Sequence, residues 1–256
     1  MQIRILSDLH IDQNPKFELK NKSIFTIIAG DISKDTSITS QWIGNNLEQG
    51  LFIEGNHAFT NNGPCIQQVY STLSQEFPIT NNVTFLQNSY KEINNKIFVG
   101  ATLWTDFKLG NFYTFTKEFS PYRPLDSYIR GNIQEQGLIR KLTVQDTISE
   151  FHKSITYIDY TCRKFQDKDI IVITHHCPSM LCSSLRFKNN TLNPALISYL
   201  EPFIKKHNNI KYWICGHCHR DPLNTKLEQC TLLMNPRGYT KFNECPNFDE
   251  NFCIEI

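Results

Sequence analysis

The chain has 256 residues, 40% of them hydrophobic, and a formal net charge of +1. That size supports one globular domain with a sizeable core. The near-zero charge gives no global field toward DNA, RNA or an acidic membrane, and no stretch reaches the roughly 18 apolar residues of a membrane helix.

Ile3–Leu6 reads as a strand that starts at once. Its apolar run is too short for a signal peptide, so a cytoplasmic chain is expected. Ile24–Ala29 is a second strand candidate, Ser37–Leu47 is helix-like, and Leu51–Ile53 is a short strand. Ile66–Phe77 has a helical pattern, with Pro64 placed to start it and Pro78 to stop it. Val83–Leu86, Ile97–Val99 and Leu103 are further strand candidates. From about 106 to 142 the chain is rich in aromatics, Gly, Pro and Arg without a clean period. That segment reads as an insertion, a partial lid on a single domain spanning 1–256. Thr147–Phe165 then looks helical, Ile170–Thr174 is a buried strand, Asn193–His207 is helical with Asn193 as cap before Pro194, and Lys211–Cys215 and Thr231–Met234 are strands. Strands alternating with helices argue for an α/β protein. The shorter connections of the later strands suggest a second sheet, and a two-sheet sandwich flanked by helices fits both halves.

The nine cysteines are an odd number without framework spacing, so free thiols are expected. Cys215 and Cys218 form a CxxC. No second CxxC follows at zinc-ribbon spacing, and the pair reads as structural thiols. Asn82-Val83-Thr84 matches a glycosylation sequon, which carries no weight without a secretion signal.

The potential metal ligands are not scattered. Asp8 and His10 form a D-x-H just after the first strand. Gly30-Asp31 follows the second, Gly55-Asn56-His57 the third, His175-His176 follows Ile170–Thr174, and Gly216-His217-Cys218-His219 follows Lys211–Cys215. Each cluster lies past the C-terminal end of a strand, where sites assemble in open α/β sheets. Singly, each has an ordinary reading: a surface or capping pair, a turn, a satisfied loop histidine. All five in this order point to one site. Splitting a phosphate ester needs a nucleophile at neutral pH and neutralisation of the phosphoryl oxygens. Two metal ions about 3.5–4 Å apart supply both by holding a bridging hydroxide in line with the leaving group. One carboxylate must bridge them, and imidazoles and an amide carbonyl complete the shells. Such mixed N/O ligation suits Mn, Fe or Zn. Glycines before Asp31, Asn56 and His217 would let the backbone turn sharply.

Read in order, S-D-L-H, A-G-D, E-G-N-H, T-H-H and C-G-H-C-H resemble the calcineurin-like metallophosphoesterases. The resemblance spans Asp8 to His219. It implies a four-layer α/β/β/α sandwich with a dinuclear centre. It implies that Asp8, His10 and His219 hold one metal, that Asn56, His175 and His217 hold the other, and that Asp31 bridges. His57 would face the substrate, stabilising the phosphoryl group or protonating the leaving oxygen. His175 is taken as the ligand of the T-H-H pair, leaving His176 toward the substrate. I-T-H-H-C-P-S, C-G-H-C-H, G-A-T-L-W-T-D-F and N-P-R-G-Y also resemble a bacterial subgroup, in which Arg237 could point at a phosphate or be a solvated arginine. Arg123 and Arg130 in the insertion are weaker candidates for that contact. Trp104, Phe112, Tyr113 and Tyr122 could stack on a base, though core or lid packing is the favoured reading.

The complete ligand set, with an insertion of a size to roof a small-molecule pocket, leads to the expectation of a phosphodiesterase acting on a nucleotide or another small diester. The alternative is a phosphomonoesterase, and Ala58 after His57 departs from the R-G-N-H-E signature of protein phosphatases. A non-catalytic scaffold would lack ligands that this chain keeps. A nuclease would carry basic runs that it does not show.

Overall fold

The computed structural model describes residues 1–14, 17–60, 64–109, 131–184, 190 and 192–256. Its first sheet has four parallel strands, β1 (Gln2–Leu6), β2 (Phe25–Ala29), β3 (Gly50–Ile53) and β4 (Val83–Phe85), with β13 (Cys253–Glu255) antiparallel on the free edge of β1. The second sheet runs β11 (Leu223–Leu227), β12 (Cys230–Met234), β10 (Ile210–Ile214), β9 (Ile170–Thr174), β6 (Lys96–Ala101), β5 (Ser89–Ile93). Its four central strands are parallel and its two edge strands antiparallel.

Side-chain alternation explains why the sheets stack. Ile3, Ile5, Ile27, Leu51 and Ile53 of the first sheet share a buried cluster with Phe98, Ile171, Ile173, Ile214 and Leu233 of the second. The intervening residues Leu6, Ile28, Phe52, Val99, Val172 and Trp213 face outward into an apolar cluster that also takes in the helices. A strand buried on both faces reads as a continuous apolar run. Each fully buried Ile or Leu contributes about 1.5–3 kcal/mol. Helices α1 (Thr36–Asn46) and α2 (Ile66–Glu76) supply Trp42, Ile43, Val69 and Leu73, and α3 (Val144–Lys164) supplies Phe151 and Ile158. The result is an α/β sandwich of two mixed sheets flanked by helices.

Several elements differ from expectation for local reasons. Helix α3 starts before Thr147 because Thr143 forms a capping box with Asp146, which Arg140 also grips at 2.6 Å. The helix expected over 193–207 is two, α4 (Asn193–Leu196) and α5 (Glu201–Lys206). Pro202 cannot donate within a continuous helix, and Ile197 instead bridges to Cys177. Asn193 lies inside α4, with Leu192 at the cap. Leu103 is not in a strand: it and Trp104 take left-handed backbone, φ 72° and 62°.

Of the segment read as a lid, residues 110–130 lie outside the described residues, and with them Phe112, Tyr113, Tyr122, Arg123 and Arg130. Its end forms a hairpin, β7 (Asn132–Glu135) and β8 (Leu138–Lys141), closed by Gln136 and Gly137 at positive φ. Gln67 of α2 fixes it through two 3.1 Å bonds to the Gln134 backbone.

Candidate metal centre

All five predicted clusters meet at the C-terminal ends of β1, β2, β3, β9 and β10. Of the eight histidines, only His152 and His207 lie elsewhere. The loop after β1 is held against the loop after β2 by backbone bonds from Asp8 to Gly30 (3.0 Å) and from His10 to Asp31 (3.1 Å). Asp8, His10, Asp31 and His217 all adopt left-handed backbone, with φ of 53°, 45°, 55° and 67°. Non-glycine residues enter this region at a cost and do so where the surroundings require it. Gly30 shares the positive φ, at 88°. Gly55 has a different reason: a Cβ there would stand 2.0 Å from Asp31 Oδ1, so space rather than turning demands glycine.

Two groups of donor atoms converge. In the first, His10 Nε2 faces His219 Nε2 at 3.1 Å, and His219 Nε2 is 3.4 Å from Asp8 Oδ1. In the second, His175 Nε2 lies 3.0 Å from Asn56 Oδ1, 3.1 Å from His217 Nδ1 and 3.2 Å from Asp31 Oδ2. Asp31 takes part in two potential ligand groups, with His175 and His217 on one side and with His10 and His57 on the other. The arrangement fits metal ions for a chemical reason. His175 Nδ1 sits 2.9 Å from the Ala29 carbonyl, so its proton goes there and Nε2 offers a lone pair. That lone pair confronts carboxylate, amide and imidazole acceptors. Only a proton or a cation resolves such a convergence. Asp8 is steadied by the His217 N–H, 3.0 Å from both of its oxygens, and His57 N–H donates to Asp31 Oδ1 at 2.9 Å.

The field of the site is negative. Burial alone would lower the affinity of His175 for a proton, but Asp31 and then Asp8 raise its pKa to about 9. For His219 the same burial is outweighed by Asp8 and Glu244, and its pKa reaches about 10. Burial opposes ionisation of Asp31, yet His175 and His57 hold it well below the usual carboxylate range. His10, by contrast, is pushed down to about 4, chiefly by burial. A cation entering here meets carboxylates already ionised and displaces protons from the two basic histidines.

His176 is not among the converging donors. Its Nδ1 bonds the Thr102 carbonyl at 3.2 Å and its ring stacks on Trp104 at 5.4 Å, beside His217 at 4.3 Å. Trp104 is buried against Phe59, a packing role. Arg237 binds the carbonyls of Asn14 (3.1 Å) and Leu9 (3.5 Å) and lies 4.4 Å over the Phe17 ring. Those contacts tie the N-terminal loops together and correct the picture of a solvated side chain.

Three site residues escape the sequence reading. Tyr239 places its hydroxyl 3.2 Å from His57 Nε2 and stacks on His10 at 4.4 Å. Its N-P-R-G-Y setting was the available signal, in which the arginine rather than the tyrosine was singled out. Glu244 binds His219 Nδ1 at 2.5 Å and so directs Nε2 inward. Nothing local marks it. Glu54, buried behind Gly55, has its pKa raised to about 8 by burial and by Asp31. Its Oε1 accepts the Gly55 N–H at 3.1 Å. A cavity of about 560 Å³ opens on His217, His219 and Glu244, walled by Leu192, Leu196 and Phe242.

Residues 1–221 match the family described as calcineurin-like phosphoesterase. The chain belongs to that family. Its members are metal-dependent phosphoester hydrolases, and the donor groups above are candidate sites for their divalent ions. The chain is 28% identical to an uncharacterized protein of Acanthamoeba polyphaga mimivirus, over 99% of this chain and 96% of that protein. It shares its fold with the crystal structure of a phosphopantetheinyl hydrolase from Mycobacterium tuberculosis. There the TM-score is 0.73 at 13% identity, covering 100% of this chain and 95% of the other. Among the described residues, no helix is long and apolar enough to cross a membrane.

Proposed function

We propose that this phosphoesterase cleaves a small phosphodiester, such as a nucleotide, with two metal ions. Asp8, His10 and His219 would hold one ion and Asn56, His175 and His217 the other, with Asp31 between them. The observation that carries this reading is Asp31 itself: one carboxylate, wholly buried, belongs to donor groups on both of its sides. When bound, Mn, Fe or Zn ions supply charge neutralisation and water activation. The protein's own residues do the rest. Glu244 and the Ala29 carbonyl fix the tautomers of His219 and His175. His57, steadied by the Tyr239 hydroxyl, stabilises the phosphoryl group or gives a proton to the leaving oxygen. His176, packed beside His217 at 4.3 Å, would support that histidine from behind on the substrate side.

The cavity favours a diester over a monoester. Its walls include Leu192, Leu196 and Phe242, which suit an organic group, and among the described residues no Lys or Arg lines it. The Nη1 of nearby Arg220 is already bonded to the carbonyls of Leu181 and Ser183. All nine cysteines are free, which suits a reducing cytoplasm. The test is hydrolysis of bis-p-nitrophenyl phosphate against p-nitrophenyl phosphate, using EDTA-stripped protein with Mn²⁺ restored. Faster Mn²⁺-dependent cleavage of the diester supports the reading, and a monoester preference replaces it with a phosphatase.

A further inference from the structure

Beneath the histidine centre lies a second cluster that phosphoester chemistry does not use. Cys177 follows His176 in the loop after β9. Cys182 ends the short 3-10 turn Met180–Cys182 in the same connection. Cys215 and Cys218 flank Gly216-His217 after β10. The sulfurs of Cys177, Cys182 and Cys215 all lie within 4.8 Å of one another, and these three residues are 0% exposed. Cys218 is nearly as buried, at 9%.

We propose that the converging Cys177, Cys182 and Cys215 form a thiolate site for Zn²⁺, distinct from the His/Asp centre, with Cys218 of the adjoining loop turning in as the fourth ligand. The spacing of the three converging sulfurs suits a structural site. A zinc–sulfur bond of about 2.3 Å in a tetrahedron puts the sulfurs about 3.8 Å apart. The Cys182 and Cys215 sulfurs are 3.7 Å apart. That is a zinc edge and is far outside the roughly 2.05 Å of a disulfide. All four cysteines are free. In the thiol form Cys177 donates to the Gly216 carbonyl at 3.1 Å. Zinc capture releases the thiol protons to solvent and replaces that bond with metal–sulfur bonds. Four thiolates on Zn²⁺ leave a net negative charge, and the Arg220 guanidinium, bonded to the Leu181 and Ser183 carbonyls on either side of Cys182, sets a positive charge beside that stretch.

The site would join two connections that the backbone links only sparsely, through Gly216 N–H to the His175 carbonyl at 3.0 Å. Cys177 is two residues from His175, and Cys215 two residues from His217. Zinc here would lock the relative positions of both histidines. The CxxC alone does not reveal it, because its partners come from a CxxxxC far upstream.

The inference is independent of the substrate reading, and its test is spectroscopic. Protein purified from zinc-supplemented cells, then treated with a mild chelator to empty the His/Asp centre, is examined by metal analysis and zinc-edge X-ray absorption. The expected result is about one retained zinc with a sulfur shell near 2.3 Å, present also in Asp31→Asn and lost in Cys182→Ser. Zinc-loaded wild-type protein with only nitrogen and oxygen neighbours would overturn the proposal. So would a sulfur shell that persists unchanged in folded Cys182→Ser. If Cys182→Ser does not fold, the wild-type absorption edge decides alone.

Discussion

Gly55→Ala isolates the position of Asp31 from its chemistry. The new Cβ would stand 2.0 Å from Asp31 Oδ1, 2.6 Å from its Cγ and 2.7 Å from its backbone nitrogen. Carbon and oxygen rest about 3.3 Å apart at closest, so the carboxylate or its loop must give way by about 1.3 Å. Nothing flexible absorbs the shift, since Asp31 is buried and bonded to the His57 N–H. Misplacing a reacting constellation by about 1 Å costs roughly 10²-fold in rate. Overpacking of this kind costs about 1–3 kcal/mol of stability. The assay is Mn²⁺-dependent kcat/KM on bis-p-nitrophenyl phosphate, with Mn²⁺ stoichiometry and Tm measured in parallel. Gly44→Ala is the matched control: its Cβ meets nothing within 4 Å, and it lies inside α1. That change should leave activity intact and stabilise by about 0.4–1 kcal/mol. Wild-type turnover and metal content in folded Gly55→Ala would refute the reasoning that Asp31 must sit where it does.

Other substitutions separate the roles. Asp31→Asn should abolish turnover and lower metal occupancy at both positions; an active variant rules out its shared role. His57→Ala should keep both metals yet turn over at least ~10²-fold more slowly, with Tyr239→Phe slowed less, and metal loss would make His57 a ligand. His175→Ala should lose more metal than His176→Ala on equilibrium dialysis, and the opposite order reverses the assignment. Metal-free protein should be most stable near pH 6.5. Histidines with folded values of about 9 and 10, His175 and His219, stabilise below their ordinary 6.5, and that contribution is lost as pH rises through the folded values. Those depressed to about 4 and 3, His10 and His176, remove stability as pH falls below 6.5. Loaded with Mn²⁺, the protein should instead gain Tm above pH 6.5, because metal replaces the protons; parallel Tm–pH curves for the two forms would contradict this.

The central strands were legible because they are buried on both faces and leave continuous apolar runs, as in Ile170–Thr174. The edge elements were not. Strand β5 has no buried residue, with Ser89, Tyr90, Lys91 and Ile93 half-buried and Glu92 exposed, and only the Asn94-Asn95 turn at positive φ signals its hairpin with β6. Strand β13 is three residues long and exists by pairing with β1. In the site, residues with metal-ligand chemistry at strand ends declared themselves. Residues acting through one contact across the fold did not: Glu244 meets His219 from 25 positions away. Arg237 drew notice by its charge, although its neighbour Tyr239 makes the contact with His57.

A crystal structure of Mn²⁺-soaked protein with anomalous scattering tests the two-metal centre most directly. Two peaks about 3.5–4 Å apart are expected, one among Asp8, His10 and His219, the other among Asn56, His175 and His217, with Asp31 touching both. A single peak, or none in a soaked crystal of well-ordered protein, would contradict the shared-carboxylate centre.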